Sequence, residues 1–253
     1  MNTELQRKQC ALYDTEFALA LSKKIIRAKT KNQLTVLRRY AHSKNADISD
    51  LEQKMSIYIG KIRMAENIPE LMGHEGQCAK LYFKGLSQCI EEEFAFKGRS
   101  RRPPMNPFNS LISLGYSILM NEIYSEIENK GMNPYFGFMH RDAEKHPTLA
   151  SDMLEEWRAV LIDSMAMSLI NGHEMQMNHF WMGNEDKPGC FLTKEGLSIF
   201  IQKLEKKLMV NAKYLSYNSS SVSFRKAIAM QLGRLAEAIR REEADYYEPI
   251  TIR

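Results

Sequence analysis

The chain is short of the residues that break or cross-link a fold. Its 253 residues include 13 glycines and 8 prolines, and Leu, Met, Ala, Lys, Glu and Gln fill the long stretches between them. Those residues favour helix, so a mainly α protein is expected. The four cysteines, Cys10, Cys78, Cys89 and Cys190, form no Cys-x-x-Cys pair. That spacing argues against a thiolate zinc site or a disulfide framework and leaves ordinary reduced thiols. No run approaches the ~20 apolar residues of a membrane span, and no positive-then-apolar leader opens the chain. A cytoplasmic protein with no membrane association is expected. No glycine-rich loop of the nucleotide-binding type is present, and His173 and His179 miss the four-residue spacing of a zinc-protease helix.

Positive charge is present in mild excess. Lys and Arg number 35 against 31 Asp and Glu, giving a net charge of +4 and a pI near 8.7. This permits a nucleic-acid partner but falls short of a dedicated DNA-binding module. Two stretches concentrate the charge: Lys23, Lys24, Arg27, Lys29 and Lys31 on a helix, and Lys97, Arg99, Arg101 and Arg102 in a loop. Each suits a phosphate backbone, and each equally suits a solvated face.

Apolar periodicity and punctuation give the elements. Residues 4–40 lack Gly and Pro and read as one long helix with a bend. Ser49 and Glu52 form a capping-box pattern for a helix to about Glu66. Asn67 and Pro69 open the next helix, which carries Glu75 and extends to about Phe96. After a loop from Lys97 to Pro104, Asn106 and Pro107 open a helix through Asn129, closed by Gly131. Residues 132–147 are irregular and contain His140. One helix is expected from Thr148 to Asn171. Thr193 caps another, reaching about Tyr214, and a last helix follows Ser223 and ends near Glu243. The tail from Tyr246 to Arg253 is extended. No repeat or linker divides the chain. Residues 1–253 therefore read as one helical domain, with a helical extension over 1–45, the chemical motifs within 67–172, and C-terminal helices and tail over 193–253.

Three blocks carry the chemistry. Glu75 lies between Gly73 and Gly76, and each glycine costs a helix interior about 1 kcal/mol relative to alanine. That pattern suggests close approach to the backbone, or a helix crossing. His140 closes an aromatic loop segment. Asp152 and Glu155 are three apart and share a helix face; Asp152 also suits the helix dipole. Arg158, three residues further on, can orient Glu155 or contact phosphate. Each residue alone has an ordinary structural explanation. Together, two carboxylates and an imidazole suit Mn²⁺ or Mg²⁺.

Taken in order, these blocks resemble the CRISPR-associated integrase family known as Cas-one. Gly73-His74-Glu75-Gly76 with Ala79, Tyr82 and Phe83 is similar to its first acidic motif. Arg102-Pro103-Pro104, Asn106-Pro107-Phe108-Asn109 and Ser113-Leu114-Gly115-Tyr116 resemble its central helix. Gly137-Phe138-Met139-His140, followed by Leu149, Asp152, Glu155 and Arg158, is similar to its histidine–acid motif. Lys29, Asn32, Gln33, Leu192-Thr193 and the Tyr247 to Arg253 tail fit further family patterns.

The resemblance implies the family's C-terminal catalytic helical domain without its usual β-rich N-terminal domain. It implies Glu75, His140 and Glu155 as ligands of Mn²⁺ or Mg²⁺, with Asp152 in the catalytic group. It implies joining of a DNA 3′-hydroxyl to a repeat phosphodiester during spacer acquisition, and cutting of double-stranded or branched DNA. Lys23, Arg27, Lys29, Arg99, Arg101, Arg102 and Arg158 are the candidate DNA contacts. A homodimer and a small Cas-two partner are the implied assembly. The competing expectations are a truncated, non-catalytic DNA-binding or assembly module, and a metallohydrolase of small phosphate esters.

Overall fold

The computed structural model describes residues 2–141 and 143–252. Arg253, the last residue of the tail motif, lies outside them. Local capping chemistry accounts for most helix starts. Asn67 Oδ1 accepts the Glu70 amide at 2.9 Å to open α4 (Ile68–Gln88), and Asn106 Oδ1 accepts the Asn109 amide at 2.9 Å to open α5 (Pro107–Asn129). Thr193 and Ser223 do the same for α8 (Lys194–Leu208) and α9 (Phe224–Arg241). Each cap satisfies an amide that the helix itself leaves unpaired.

Several expected boundaries move. The first long helix is two, α1 (Thr3–Ala11) and α2 (Glu16–Lys44), with the break at Leu12–Thr15. The Ser49–Glu52 capping box does not form at α3 (Ser49–Met64). Asp47 accepts both the amide and the hydroxyl of Ser49, and Arg38 holds Glu52. Helix α4 stops at Gln88, and α8 stops at Leu208 rather than near Tyr214. The expected helix from Thr148 to Asn171 is present in extent but changes pitch. It runs as α6 (Thr148–Trp157), a π-helical stretch Arg158–Asp163, and α7 (Ser164–Asn171). Two small antiparallel hairpins complete the fold: β1 (Phe180–Met182) with β2 (Cys190–Leu192), and β3 (Asn211–Ala212) with β4 (Val222–Ser223).

The core is built around α2, which packs on α3, α4 and α6, while α5 packs on α6. Gly115 of α5 permits one crossing: a Cβ there would stand 2.5 Å from Ile162. Among the described residues no helix is long and apolar enough to cross a membrane. None of the four cysteines is in a disulfide.

Every residue of α6 is buried, including Asp152, Glu155 and Glu156. Buried carboxylates are costly unless partnered, so each has its own partner set. Glu156, absent from the sequence-based candidates, clamps the tail. Its carboxylate accepts from Tyr247 Oη at 2.6 Å, the Ile250 amide at 3.0 Å and Gln231 at 3.3 Å. Asn32 holds the same segment, accepting from the Ile252 amide at 2.9 Å and donating to Ile250 O at 3.1 Å.

Burial pushes the Glu156 carboxyl up to about 7, against the opposing pull of its three donors. The folded protein thus retains a proton that the unfolded chain releases above about 4.5. Glu156 should therefore cost about 3 kcal/mol of stability as pH rises from about 4.5 to 7, at 1.36 kcal/mol per pH unit. Urea unfolding of the wild type and of Glu156→Gln between pH 5 and 7 checks this. The variant should lose that slope, and an unchanged slope would rule Glu156 out as its source.

Candidate metal centre and its arginine-lined groove

Glu75, His140 and Glu155 come from three elements: the third turn of α4, the loop before α6, and α6 itself. Helix α2 supplies what joins them. Lys29 Nζ lies 2.5 Å from Glu75 Oε1 and 2.5 Å from Glu155 Oε2, with its side chain only 6% exposed. His140 Nε2 lies 3.8 Å from Glu155 Oε1, and Arg158 approaches the same oxygen at 3.1 Å. Lys29 therefore bridges the two carboxylates, and Glu155 stands beside the imidazole.

Lys29 corrects one expectation. It was a candidate DNA contact in a lysine-rich stretch, but its ammonium is buried between two acids. The helical period places it with Ile25, Ile26, Asn32 and Gln33, all buried, on the inner face of α2.

Asp152 takes no part in the Lys29 bridge. Its carboxylate accepts from the amides of Phe138 at 2.6 Å, Met139 at 3.0 Å and His140 at 3.0 Å. It also lies 2.6 Å from His140 Nδ1. Helix-dipole stabilisation is thus not what occupies it: it ties the 138–140 loop to α6 and orients the imidazole. Gly137 makes room, because a Cβ there would stand 2.8 Å from Asp152 Oδ2.

The electrostatics follow from these contacts. Burial pulls the His140 pKa down, but the Asp152 hydrogen bond and the charges of Asp152 and Glu155 outweigh it and raise it above its ordinary value. Burial pushes Glu155 up, but Arg158, Lys29 and His140 overcome that and hold it at about 2. Lys29 is raised: burial opposes its charge, and Glu155 and Glu75 more than restore it.

Among the described residues no three His, Cys, Asp or Glu side chains stand close enough, as arranged, to hold a metal ion. Lys29 supplies the reason, since it keeps Glu75 and Glu155 around its own ammonium. The donor set nevertheless fits a divalent ion. Asp152 takes the His140 Nδ1 side, leaving Nε2 turned towards Glu155, the arrangement that carboxylates impose on metal-binding histidines. Glu155 Oε2 is buried and meets the Lys29 ammonium as an ion pair. The position already holds one cation, and mixed oxygen and imidazole donors suit Mn²⁺ or Mg²⁺.

Gly73 and Gly76 mark no helix crossing. Nothing lies within 4 Å of where a Cβ would stand at either. His74 pairs with Glu70 at 3.5 Å, away from the centre.

A groove of about 230 Å³ opens beside His140, lined by Arg99, Arg101, Arg102, Arg158, Tyr116 and His146 among others. Arg99 is tied to Asn109 and Ser113, and Arg158 stacks 4.6 Å from the Tyr116 ring centre. Tyr116 and Tyr82 both donate to Asp163, whose carboxyl burial pushes up to about 6. Sequence reasoning passed over Asp163. Its signal was an acid at the end of the apolar run Ala159–Ile162, where burial demands partners. Lys23 and Arg27 line a second groove, with Lys24, Lys31 and Arg63. The candidate DNA contacts other than Lys29 thus fall on two separate surfaces.

Residues 1–206 match the family model described as CRISPR associated protein Cas1. The chain belongs to the Cas1 family. A CRISPR-associated endonuclease Cas1 of Mycobacterium tuberculosis is 36% identical over 226 residues, covering 89% of this chain and 66% of that relative. A solved CAS1 protein from Thermotoga maritima matches with a TM-score of 0.78 and 26% identity, over 96% of this chain and 75% of that one. A Cas6-RT-Cas1–Cas2 complex contains a chain matching with a TM-score of 0.86 and 25% identity, over 98% of this chain and 27% of that one.

Proposed function

We propose that this protein is a metal-dependent DNA integrase and endonuclease of CRISPR adaptation. The carrying observation is the convergence of Glu75, Glu155 and His140 beside a groove lined by four arginines. Membership of a family with a relative named as an endonuclease supports the reading. Glu75, Glu155 and His140 would hold Mn²⁺ or Mg²⁺. Bound there, the ion would polarise a phosphoryl oxygen and favour ionisation of the attacking hydroxyl.

The chain's own residues do the rest. Asp152 fixes the imidazole with Nε2 outward. Arg101 and Arg102 attract the strand's phosphates, and Arg158, held by Tyr116 and Glu155, faces the groove. The 3′-hydroxyl of a captured fragment attacks a repeat phosphodiester, and the displaced strand leaves with a 3′-hydroxyl. One phosphodiester replaces another, so no nucleotide triphosphate is consumed. The four arginines along the groove wall suit the repeated phosphates of a nucleic-acid strand better than a single small phosphate ester. A homodimer working with a small Cas2-type partner on double-stranded or branched DNA completes the reading; the solved complex that includes Cas2 supports that partner.

Lys29 favours one alternative, a DNA-binding or assembly module in which the lysine serves in place of a metal. Strand transfer distinguishes the two. A labelled duplex with free 3′-hydroxyls and a repeat-bearing plasmid are incubated with Mn²⁺ or EDTA, with and without the partner. Covalent joining that requires Mn²⁺ is expected. Salt-sensitive DNA binding with no joining, indifferent to metal, would select the alternative.

A further inference from the structure

The β1–β2 hairpin carries an aromatic pair that the core does not use. Trp181 and Phe191 lie directly opposite in register and stack, with ring centres 4.7 Å apart and planes 27° apart. Lys187 Nζ stands 5.7 Å from the Trp181 ring centre and 5.0 Å from that of Phe191. Trp181 is 44% exposed and Met182 60% exposed. The neighbouring Phe180 anchors the strand by packing edge-on against buried Phe94.

The hairpin is fastened to the arginine loop. The Cys190 amide donates to Pro104 O at 2.7 Å, and a Cβ at Gly189 would stand 3.0 Å from Pro103 Cβ. Pro103 directly follows Arg101 and Arg102, which line the groove beside His140. The exposed indole is thus built onto the segment that forms the groove wall. Two strands and a ring stack hold it in place.

We propose that the Trp181–Phe191 pair is a stacking platform for an unstacked base of a DNA strand whose phosphates lie in the arginine groove. This rests on the DNA reading above and adds to it the side chains that would hold a base. An aromatic face stacks any base, and such contacts are typically worth ~1–3 kcal/mol per base. Bases inside a blunt duplex are already stacked and gain nothing. Arg101 and Arg102 attract the backbone, and Lys187, which lies over both rings, swings aside when a base stacks there. Glu185 and Asp186, in the hairpin turn, repel it and direct the strand towards the arginine side.

Fluorescence anisotropy in EDTA tests the platform apart from catalysis. The probes are a blunt duplex and the same duplex with a 3′ overhang of about five nucleotides. Trp181→Ala should weaken binding of the overhang probe about 5- to 150-fold, the range that such stacking energies imply, and leave the blunt probe within about twofold. Trp181→Phe should retain most of the affinity. Wild-type tryptophan emission should be quenched by the overhang probe, because Trp157 is only 1% exposed and Trp181 is the accessible ring. Equal loss on both probes, or none on the overhang probe, overturns the platform and leaves the DNA reading standing. Failure of the wild type to bind either probe overturns both.

Discussion

Replacing Lys29 by methionine is expected to destabilise the metal-free protein by about 3–5 kcal/mol, the usual cost of removing one partner from a buried ion pair. The stem is matched in length, so the loss is of charge rather than volume. Without the ammonium, Glu75 and Glu155 face each other with Arg158, 3.1 Å from Glu155, and His140, 3.8 Å from it, left to offset them. Like charges at such range cost several kcal/mol at an effective dielectric near 20. The same substitution removes the cation with which a metal must compete. Mn²⁺ should therefore bind the variant at least about tenfold more tightly and recover much of the lost stability, because a ligand that binds only the folded state stabilises it. Thermal unfolding with and without Mn²⁺, with calorimetric titration, reads both effects. Weaker Mn²⁺ binding by the variant would show that Lys29 cooperates with the metal rather than substituting for it. Unchanged metal-free stability would remove the lysine from the centre altogether.

Lys29 also shows where sequence reasoning succeeds and where it stops. Helix starts at Asn67, Asn106, Thr193 and Ser223 were legible because a cap is decided within four residues. The Ser49–Glu52 box was misread at the same range because Asp47, two residues earlier, competes for Ser49. The extent of the 148–171 helix was legible, but its π-helical stretch was not. That stretch holds Arg158 over Tyr116 and brings Asp163 to two tyrosines from other helices, contacts that no local pattern encodes. Lys29 reads with its basic run as a candidate DNA contact because such a run suits a phosphate backbone, although its position in the helical period points inward. The grouping of Glu75 with His140 was what the ordered resemblance implied, since periodicity cannot relate α4 to the 132–147 loop; the structure links the two by way of Lys29 and Glu155. Asp152 was legible as a nearby acid, but its role in gathering three loop amides required the fold.

His140→Ala should abolish strand transfer, by on the order of 10³-fold, while DNA affinity in EDTA stays within about twofold. The magnitude follows from losing several kcal/mol of transition-state charge stabilisation, at 1.36 kcal/mol per tenfold. DNA affinity is spared because the groove's attraction comes from its arginines. Turnover that survives in a clean preparation would remove His140 from the ligand set. The pH dependence gives an independent check. Asp152 and Glu155 favour the imidazolium form of His140 in the metal-free protein and raise its pKa above the ordinary value, against the pull of burial. That raised value stabilises the metal-free fold at low pH, and the gain is lost as pH rises through it. Metal binding has the opposite preference, since the ion requires the neutral ring and must displace the proton. Mn²⁺ affinity should therefore hold steady above the His140 pKa and fall by up to about tenfold per pH unit below it. A titration of Mn²⁺ affinity at pH 8, 7, 6 and 5 reads this directly, and in His140→Ala the residual affinity should lose the slope that the imidazole contributes. A flat wild-type profile would mean that Glu75 and Glu155 bind the ion without the imidazole.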